Sequence, residues 1–366
     1  CEIALAGGRA LNFQVCAVGG RHFAACASRA GRAITFRERR AVAPFTRPHP
    51  CMAVALSRQK LLREWKLYLF VVPSLALVLI FAYFPATSAV YHSFFEWAGG
   101  DTKQFIGSDN FRRALHDQVL IDSFLTVSVL IVFNLFKMIP SILLAVLIHR
   151  LHSDRWQYLY RVLLVVPMIV PGLVTLFIWK FFFDPNLGVL NGLLDFTGLK
   201  SVLVWLDHLF GWGVFYANVP IGWLSQPELI LPSLFIWGFP WIGAVGVLIF
   251  LAGLQSIGQE VYEAAELDGV GPIGKFLYIE LPLILTQVRL MLVLLIVGTL
   301  GGYGLQLQLL NEYGGPGGRG MVPGLWMYNR AFYAGEFGYA CAIGMILFAF
   351  ILLLTFINNR YVRIDK

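Results

Sequence analysis

From about residue 67 onward, the chain alternates long apolar runs with short polar stretches. A helix that crosses a bilayer needs roughly 20 consecutive, mostly apolar residues, and several of these runs reach that length. The pattern therefore predicts an all-α integral membrane protein. The six predicted spans cover residues 67–91, 120–148, 159–183, 229–253, 281–303 and 337–358.

A seventh apolar stretch, residues 204–224, is about as long as a span. It contains Asp207, His208 and Pro220, and polar groups of this kind are costly in lipid. It is also rich in tryptophan and tyrosine, which membrane proteins place at the level of the lipid headgroups. We predict an interfacial element on the external face here, and no additional span.

The composition agrees with a membrane protein. Hydrophobic residues make up 58% of the chain and charged residues 13%, which is unlike a soluble domain. The net charge of +7 arises almost entirely in residues 1–51, where eight arginines accompany two glutamates. Because the remaining chain has 20 basic and 19 acidic residues, it carries no basic footprint for nucleic acid. We expect no nucleic-acid partner.

Residues 1–51 also contain four of the five cysteines, at spacings that match no zinc-binding pattern. No apolar core of a signal peptide is visible there. The first methionine is Met52, and the basic segment 52–66 leads from it into the first apolar run. We therefore expect residues 1–51 to be a non-native or disordered extension and translation to begin at or near Met52.

Lysine and arginine are unevenly divided between the predicted loops. The segments before span one, between spans two and three, between spans four and five, and after span six hold eleven, and the other loops hold six. Since cytoplasmic loops carry the excess of basic residues, both termini are predicted to be cytoplasmic. The tail 359–366 and the loop 255–280 then lie on the same, cytoplasmic side.

The loop 255–280 is polar and acidic although it joins two apolar runs. Residues 260–268 contain good helix formers without glycine or proline. Glycines and a proline at 269–272 end that helix, and a second short helix is predicted over 273–280 before Pro282 opens span five. The loop therefore reads as a helix, a turn and a helix.

Within this loop, Gly269 to Lys275 satisfies the pattern GxxxxGK of a phosphate-binding loop. The next residue is Phe276, so the hydroxyl that holds magnesium is missing, and no predicted strand precedes Gly269. Pro272 also lacks an amide that would bind phosphate. The sequence therefore predicts that this chain does not hydrolyse ATP.

The same loop contains a second pattern: EAA, three residues, G, nine residues, I, one residue, LP. The residues that form it are Glu263, Ala264, Ala265, Gly269, Ile279, Leu281 and Pro282. The pattern resembles the signature of binding-protein-dependent ABC importer permeases, whose type I fold has six transmembrane helices and a cytoplasmic coupling helix.

The resemblance extends over roughly residues 62–363 and points to the carbohydrate-uptake branch, in particular to the maltose-F, lactose-F or glycerol-phosphate-A type of subunit. It is carried further by residues 184–191, 250–257, 314–317 and 337–344. Two departures affect external contacts: residues 206–226 look like an insertion, and Arg319 stands where such subunits have a small residue.

The resemblance implies a bacterial inner-membrane protein that forms half of a path for a sugar or similar solute. The implied partners are a second homologous permease subunit in a heterodimer, two ATPase subunits that bind ATP and magnesium, and a solute-binding protein. This chain would bind no cofactor or metal itself. Its EAA helix would dock on the ATPase, with Ala264 and Ala265 allowing close approach, Glu263 offering a carboxylate and Gly269 turning the chain back.

Polar and small residues within spans usually face the bundle interior or a hydrated cavity. Trp237 and Trp241 have flat faces on which a sugar can stack. The candidates for the translocation path are Lys137, Trp237, Trp241, Thr299, Tyr303 and Gln306. For each of them, packing within the bundle is the alternative role.

Two other classes of membrane protein are the alternatives: an ion-coupled secondary transporter and a membrane-embedded enzyme. The first usually has acidic residues within its spans, whereas the central portions of the predicted spans contain essentially none. The second needs catalytic groups at membrane depth, whereas the seven histidines lie in loops, at span ends or in residues 1–51. The sequence favours the importer subunit over both.

Overall fold

The computed structural model describes residues 65–361. The predicted extension 1–51, the start at Met52, nearly all of segment 52–66 and residues 362–366 of the tail lie outside the described residues. The regular secondary structure of the described residues is helical apart from one short hairpin. Its helices are α1 (Trp65–Val78), α2 (Phe84–His92), α3 (Asp109–His116), α4 (Gln118–His149), α5 (Asp154–Val165), α6 (Gly172–Phe182), α7 (Val189–Thr197), α8 (Leu199–Phe210), α9 (Ile230–Ile236), α10 (Ala244–Gln255), α11 (Gln259–Leu267), α12 (Pro272–Leu283), α13 (Leu285–Gly301), α14 (Gly304–Leu310), α15 (Pro323–Phe332) and α16 (Phe337–Tyr361).

Three helices in the described chain are long and apolar enough to cross a membrane unbroken. The first is Leu69–His92, in which α1 continues through a π-helical turn at Leu79–Tyr83 into α2. The others are α4, with 32 residues, and α16, with 25. The apolar runs predicted near the first, second and last of the six positions are therefore helical.

The start of α4 is fixed by Asp117, whose carboxylate accepts hydrogen bonds from residues of three helices. Its Oδ1 accepts the backbone N–H groups of Val119 and Leu120 at 3.1 and 3.3 Å, which caps the first turn. Its Oδ2 accepts the indole N–H of Trp326 on α15 at 2.8 Å and the hydroxyl of Tyr339 on α16 at 2.7 Å. One side chain thus caps α4 and joins it to the last two helices.

The predicted span 159–183 does not form one helix. α5 ends in a 3₁₀ turn, Val166–Ile169, and α6 begins after Pro171 in a direction that differs by 87°. Proline disfavours helical backbone in the residue before it and has no N–H to donate. The residues of this predicted span therefore form two helices with a break between them, and their crossing of the membrane stays a prediction.

The predicted span 229–253 is also divided, because the chain leaves the helical conformation between α9 and α10. Gly238 and Trp241 have positive φ angles of 78° and 60°, and Pro240 lies between them. The predicted start of span five at residue 281 is displaced as well. α13 begins at Leu285, and its axis is bent by 67° from that of α12.

The segment 204–224 is not a continuous helix. α8 ends at Phe210, and the chain from Gly211 to Gln226 forms turns and irregular structure. Asp207 is buried, and its Oδ1 accepts the backbone N–H groups of Val214 and Phe215 at 2.9 and 3.3 Å. The polar residue that argued against a span therefore orders the loop after α8. The external location of this element stays a prediction.

A two-stranded antiparallel hairpin, β1 (Phe95–Trp97) and β2 (Lys103–Phe105), lies against the start of α16. A Cβ atom on Gly338 would overlap the backbone carbonyl of Phe95. Only glycine therefore permits this approach. Nearby, Arg113 on α3 donates to both carboxylate oxygens of Glu336, at 3.0 and 2.9 Å.

α4 is the central helix of the described chain, in contact with α9, α10, α13 and α15. Val127 and Leu130 in its first half are buried in a core shared with α15 and α16. Ala145 and Ile148 near its end are buried in a second core, shared with α10. The middle of α4 lies beside the break between α9 and α10, and this arrangement places the candidate site.

Candidate functional site

A cavity of about 640 Å³ opens beside the middle of α4, where α9 and α10 are interrupted. Its walls come from α4, from the segment 237–246, from α13 and from the start of α14. The six candidates predicted for a solute path all line it: Lys137, Trp237, Trp241, Thr299, Tyr303 and Gln306. The structure thus brings together residues from three separate parts of the chain.

Lys137 is held by the interrupted helix. Its Nζ donates to the carbonyl oxygens of Leu234 at 2.7 Å and Trp237 at 3.2 Å. Carbonyls at the C-terminal end of a helix have no partner within that helix. Lys137 supplies donors to two carbonyls at the end of α9 and so stabilises the break that forms the cavity.

Two further polar residues of α4, Asn134 and Ser141, line the cavity and were not among the predicted residues. Asn134 Nδ2 donates to Thr299 Oγ1 at 2.9 Å. Ser141 Oγ accepts the backbone N–H of Gly243 at 3.0 Å and donates to the carbonyl of Trp241 at 3.3 Å. Asn134, Lys137 and Ser141 are three and four residues apart, so they share one helix face. That spacing was a signal in the sequence that could have identified them.

The cavity walls combine aromatic surfaces with hydrogen-bonding groups. Trp237 and Trp241 lie at the break, and Tyr303 stacks on Tyr328 with ring centroids 5.1 Å apart. Among the described residues that line the cavity, Lys137 is the only charged one, and none is Asp or Glu. Such walls offer flat aromatic faces and hydrogen-bonding groups to a polar solute.

The second candidate region is the polar loop between α10 and α13. α11 covers Gln259–Leu267, within one residue of the predicted helix 260–268 at each end. Gly269 follows with a left-handed φ of 71°. The N–H of Val270 donates to the carbonyl of Ala265 at 3.0 Å, which closes the turn. The chain then enters α12, which contains a π-helical stretch at Lys275–Glu280.

The signature residues differ in exposure. Ala265 is buried, Ile279 and Leu281 are half-buried, and Glu263, Ala264, Gly269 and Pro282 are exposed. Large apolar side chains of the loop are also exposed, most of all Leu267 (89%), Ile273 (76%) and Tyr278 (79%). Exposed apolar groups together with a carboxylate are typical of a surface that another protein covers.

Toward α4, the loop is held by an ion pair that the sequence did not predict. Glu280 is 0% exposed, and its two oxygens accept from Nη2 and Nε of Arg150 at 2.7 and 3.2 Å. Arg150 Nη2 also donates to the carbonyl of Pro272 at 2.9 Å. His149 Nε2 lies 3.1 Å from the hydroxyl of Tyr262 on α11. Burial and the negative charge of Glu280, opposed by the charge of Arg150, raise the pKa of Tyr262 to about 12, so the phenol is protonated.

Lys275, the lysine of the GxxxxGK string, pairs within the loop. Its Nζ lies 2.7 Å from Glu266 Oε1, and the hydrogen bond and charge of Lys275 lower the pKa of Glu266. Between α10 and α11 the described chain has no strand, and a helix precedes Gly269. The string is therefore part of a helix, a turn and a helix, and it lacks the strand of a phosphate-binding loop.

Comparison with known proteins places these features in a family. Residues 141–363 match the family described as "Binding-protein-dependent transport system inner membrane component". The "Probable ABC transporter permease protein YurN" of Bacillus subtilis is 29% identical over 308 residues, which cover 82% of this chain and 96% of that protein. The "Diacetylchitobiose uptake system permease protein NgcF" of Streptomyces coelicolor is 28% identical over 301 residues, 78% of this chain and 80% of that protein.

The fold is also that of a solved importer. A chain in the crystal structure of a bacterial ABC transporter involved in the import of the acidic polysaccharide alginate aligns with a TM-score of 0.68 and 22% identity, over 84% of this chain and 99% of that chain. Since the family match spans more than half of the sequence, the chain belongs to the binding-protein-dependent transport system inner membrane components.

Proposed function

We propose that this chain is one of two permease subunits of an ATP-driven sugar importer and that α11, with the turn at Gly269, couples it to a cytoplasmic ATPase. The observation that carries the proposal is the exposed surface of the loop. Glu263, Leu267, Ile273 and Tyr278 are exposed on a loop that Arg150 anchors to α4. An anchored surface with exposed apolar groups and a carboxylate is suited to bind a partner protein.

The central cavity supports a sugar or a related polar solute. NgcF is named for the uptake of diacetylchitobiose, and the solved neighbour for the import of alginate. Aromatic faces stack on sugar rings, and the amide and hydroxyl groups of Asn134, Thr299 and Gln306 are suited to hydrogen-bond sugar hydroxyls. The chain forms half of the path, and its partner subunit forms the other half.

In this proposal the chain crosses the membrane six times, so both termini lie on the same side, and the excess of lysine and arginine in the loops of that side favours the cytoplasm of the bacterial cell. The unbroken crossings are Leu69–His92, α4 and α16, and the others are α5 with α6, α9 with α10, and α13. In this assembly a solute-binding protein delivers the sugar, and a second homologous permease subunit completes a heterodimer. Two ATPase subunits bind ATP and magnesium, whereas this chain binds no cofactor and catalyses no reaction.

Charge reversal at Glu263 tests the coupling surface. Glu263→Lys places a positive charge where we propose contact with a basic residue of the ATPase, so docking should weaken. We expect the ATPase subunits, identified by mass spectrometry, to be lost when the importer is purified from membranes. ATP hydrolysis by the purified material should fall with them.

The matched control is Glu228→Lys, which makes the same charge change at an exposed glutamate outside the loop. It should retain the ATPase. Equal recovery of the ATPase with Glu263→Lys, Glu228→Lys and the unmodified chain would contradict the proposed coupling surface.

A further inference from the structure

We propose that Arg150 and Glu280 are positioning residues that transmit movement of the loop formed by α11 and α12 to α4, and through α4 to the cavity. The inference rests on the proposed coupling function of this loop. The signature pattern assigns neither residue. Arg150 follows the last residue of α4, and Glu280 is the single open position between Ile279 and Leu281.

The guanidinium of Arg150 holds α12 at two points. Near the end of α12, its Nη2 and Nε meet the two oxygens of Glu280 at 2.7 and 3.2 Å. At the start of α12, Nη2 also donates to the carbonyl of Pro272 at 2.9 Å. An arginine–carboxylate pair with two parallel bonds fixes orientation as well as distance. α12 therefore cannot turn relative to the end of α4 without breaking these contacts.

The burial of Glu280 makes this connection stiff. Its side chain is 0% exposed, so separating the pair would leave a carboxylate without water or another partner. The pair Lys275–Glu266 in the same loop offers a direct comparison. It is as short, at 2.7 Å, but Glu266 is 70% exposed, and water can replace the lysine at little cost. The loop thus has one rigid ion pair toward α4 and one loose pair at its surface.

α4 carries the connection to the cavity. His149 in its last turn contacts Tyr262 of α11 at 3.1 Å, so both helices of the loop are tied to the same end of α4. Twelve residues earlier, about 18 Å along a helix, Lys137 binds the carbonyls of Leu234 and Trp237 at the cavity wall. α4 is continuous between these points. A displacement of the loop therefore reaches the cavity through one helix.

A thiol reporter in the cavity tests this connection without knowledge of the solute. Gly298 lines the cavity, and a Cβ there meets no atom within 4 Å. Gly298→Cys, with the native cysteines replaced, is introduced into the complete importer in proteoliposomes. Its reaction rate with a charged methanethiosulfonate is measured without nucleotide and with ATP plus vanadate, which arrests the ATPase. With Arg150 and Glu280 intact, we expect the rate to change about tenfold, as in a typical coupling of roughly 5–150-fold.

Glu280→Gln removes the charge with little change of shape. The matched control is Asp195→Asn, which removes the charge of a 58% exposed carboxylate that lies outside the loop, 3.5 Å from Lys200 Nζ. We expect Glu280→Gln to retain the ATPase but to reduce the response to at most about twofold, whereas Asp195→Asn keeps the full response. A double variant, Arg150→Gln with Glu280→Gln, leaves no unpaired charge, but it should still respond at most about twofold because the bonds that tie α12 to α4 are missing. A full response of the double variant would show that the loss in Glu280→Gln came from an unpaired charge, and it would overturn the inference.

The inference is overturned if Glu280→Gln retains the ATPase and responds as fully as Asp195→Asn. It is also overturned if Glu280→Gln loses the ATPase, because the pair then only supports the docking surface. If Glu280→Gln is not recovered from membranes, the same criteria apply to Arg150→Lys, which keeps the charge without the two-pronged geometry. Failure of the proposed function is distinguishable, because then the complex with both residues intact holds no ATPase or gives no response.

Discussion

Substitutions at Gly269 are predicted to weaken ATPase binding in the order Asn, Ala, Val, with valine the most severe. Gly269 ends α11 with a left-handed φ of 71°. A Cβ at this position would meet no atom within 4 Å. The perturbation is therefore confined to the backbone conformation and creates no steric clash.

The magnitude follows from the conformation. An L-residue in the left-handed region costs about 1–2 kcal/mol, asparagine costs less because its side chain bonds locally, and a β-branched residue costs more. If the turn relaxes to escape this strain, the position of α11 changes and the docking-competent population falls. Since 1.4 kcal/mol is about tenfold in an equilibrium constant, Gly269→Ala should raise the Kd for the ATPase roughly 5–30-fold.

The Kd of purified ATPase for the permease in lipid nanodiscs measures this effect. Gly271 is the matched control, because it has an ordinary φ of −69° and a Cβ there also meets no atom within 4 Å. Gly271→Ala and Gly271→Val should stay within about twofold of the native chain. Two results would refute the reasoning: equal binding by all Gly269 variants, or equal losses at Gly269 and Gly271.

Two further predictions concern the fold. Lys137→Met keeps most of the side-chain volume but leaves two carbonyls at the end of α9 without their donor. The free energy of unfolding in detergent should therefore fall by about 1–3 kcal/mol. An unchanged melting temperature would contradict this role of Lys137. Burial of Asp117 raises its pKa, but hydrogen bonds from Tyr339, Trp326 and the N–H of Leu120, together with the charge of Arg330, lower it by more. The net pKa of Asp117 therefore lies below its ordinary value. Its contribution to stability should therefore be complete above pH ~4 and be lost as the pH falls through the lowered pKa. The stability difference between the native chain and Asp117→Asn, measured by thermal unfolding from pH 8 to pH 3, should be constant at neutral pH and shrink only in acid; a difference that grew in acid would have the wrong sign.

The helices that could be predicted are those whose formation depends on local sequence. α4 and α16 follow from long apolar runs, because a buried or lipid-facing helix satisfies its own backbone. α11 and its end at Gly269 follow from helix formers bounded by glycine. In each case the signal lies within the residues that form the element.

The interruptions could not be predicted in the same way. Hydropathy reports how apolar a run is and not its direction, and proline occurs in membrane helices without ending them. Pro171 and Pro240 were therefore read as parts of continuous spans. The break after α9 also depends on Lys137, which lies about 100 residues earlier in the chain and supplies the missing donors.

The candidate site was predicted only in part, because some of its residues carry a local signal in the sequence and others do not. Each of the six cavity residues is unusual by itself within an apolar run, and the structure places them around one cavity. Arg150 and Glu280 gave no such signal, because a charged residue in a polar loop is ordinary. Their importance depends on the burial of Glu280 and on a contact between positions 130 residues apart, which only the fold reveals.

The hydrogen bonds of Asp117 set an order of events during synthesis of the protein. Two of its donors, the amides of Val119 and Leu120, leave the ribosome directly after it. The other two, Trp326 and Tyr339, follow 209 and 222 residues later, roughly 10–45 s at usual rates of translation. During that interval the N-terminal end of α4 has a carboxylate oxygen without its final partners. A truncated chain that ends before α15 lacks both of these donors. The hydrogen bonding of Asp117, a residue in the first third of the sequence, is therefore complete only after the last helix has been synthesised.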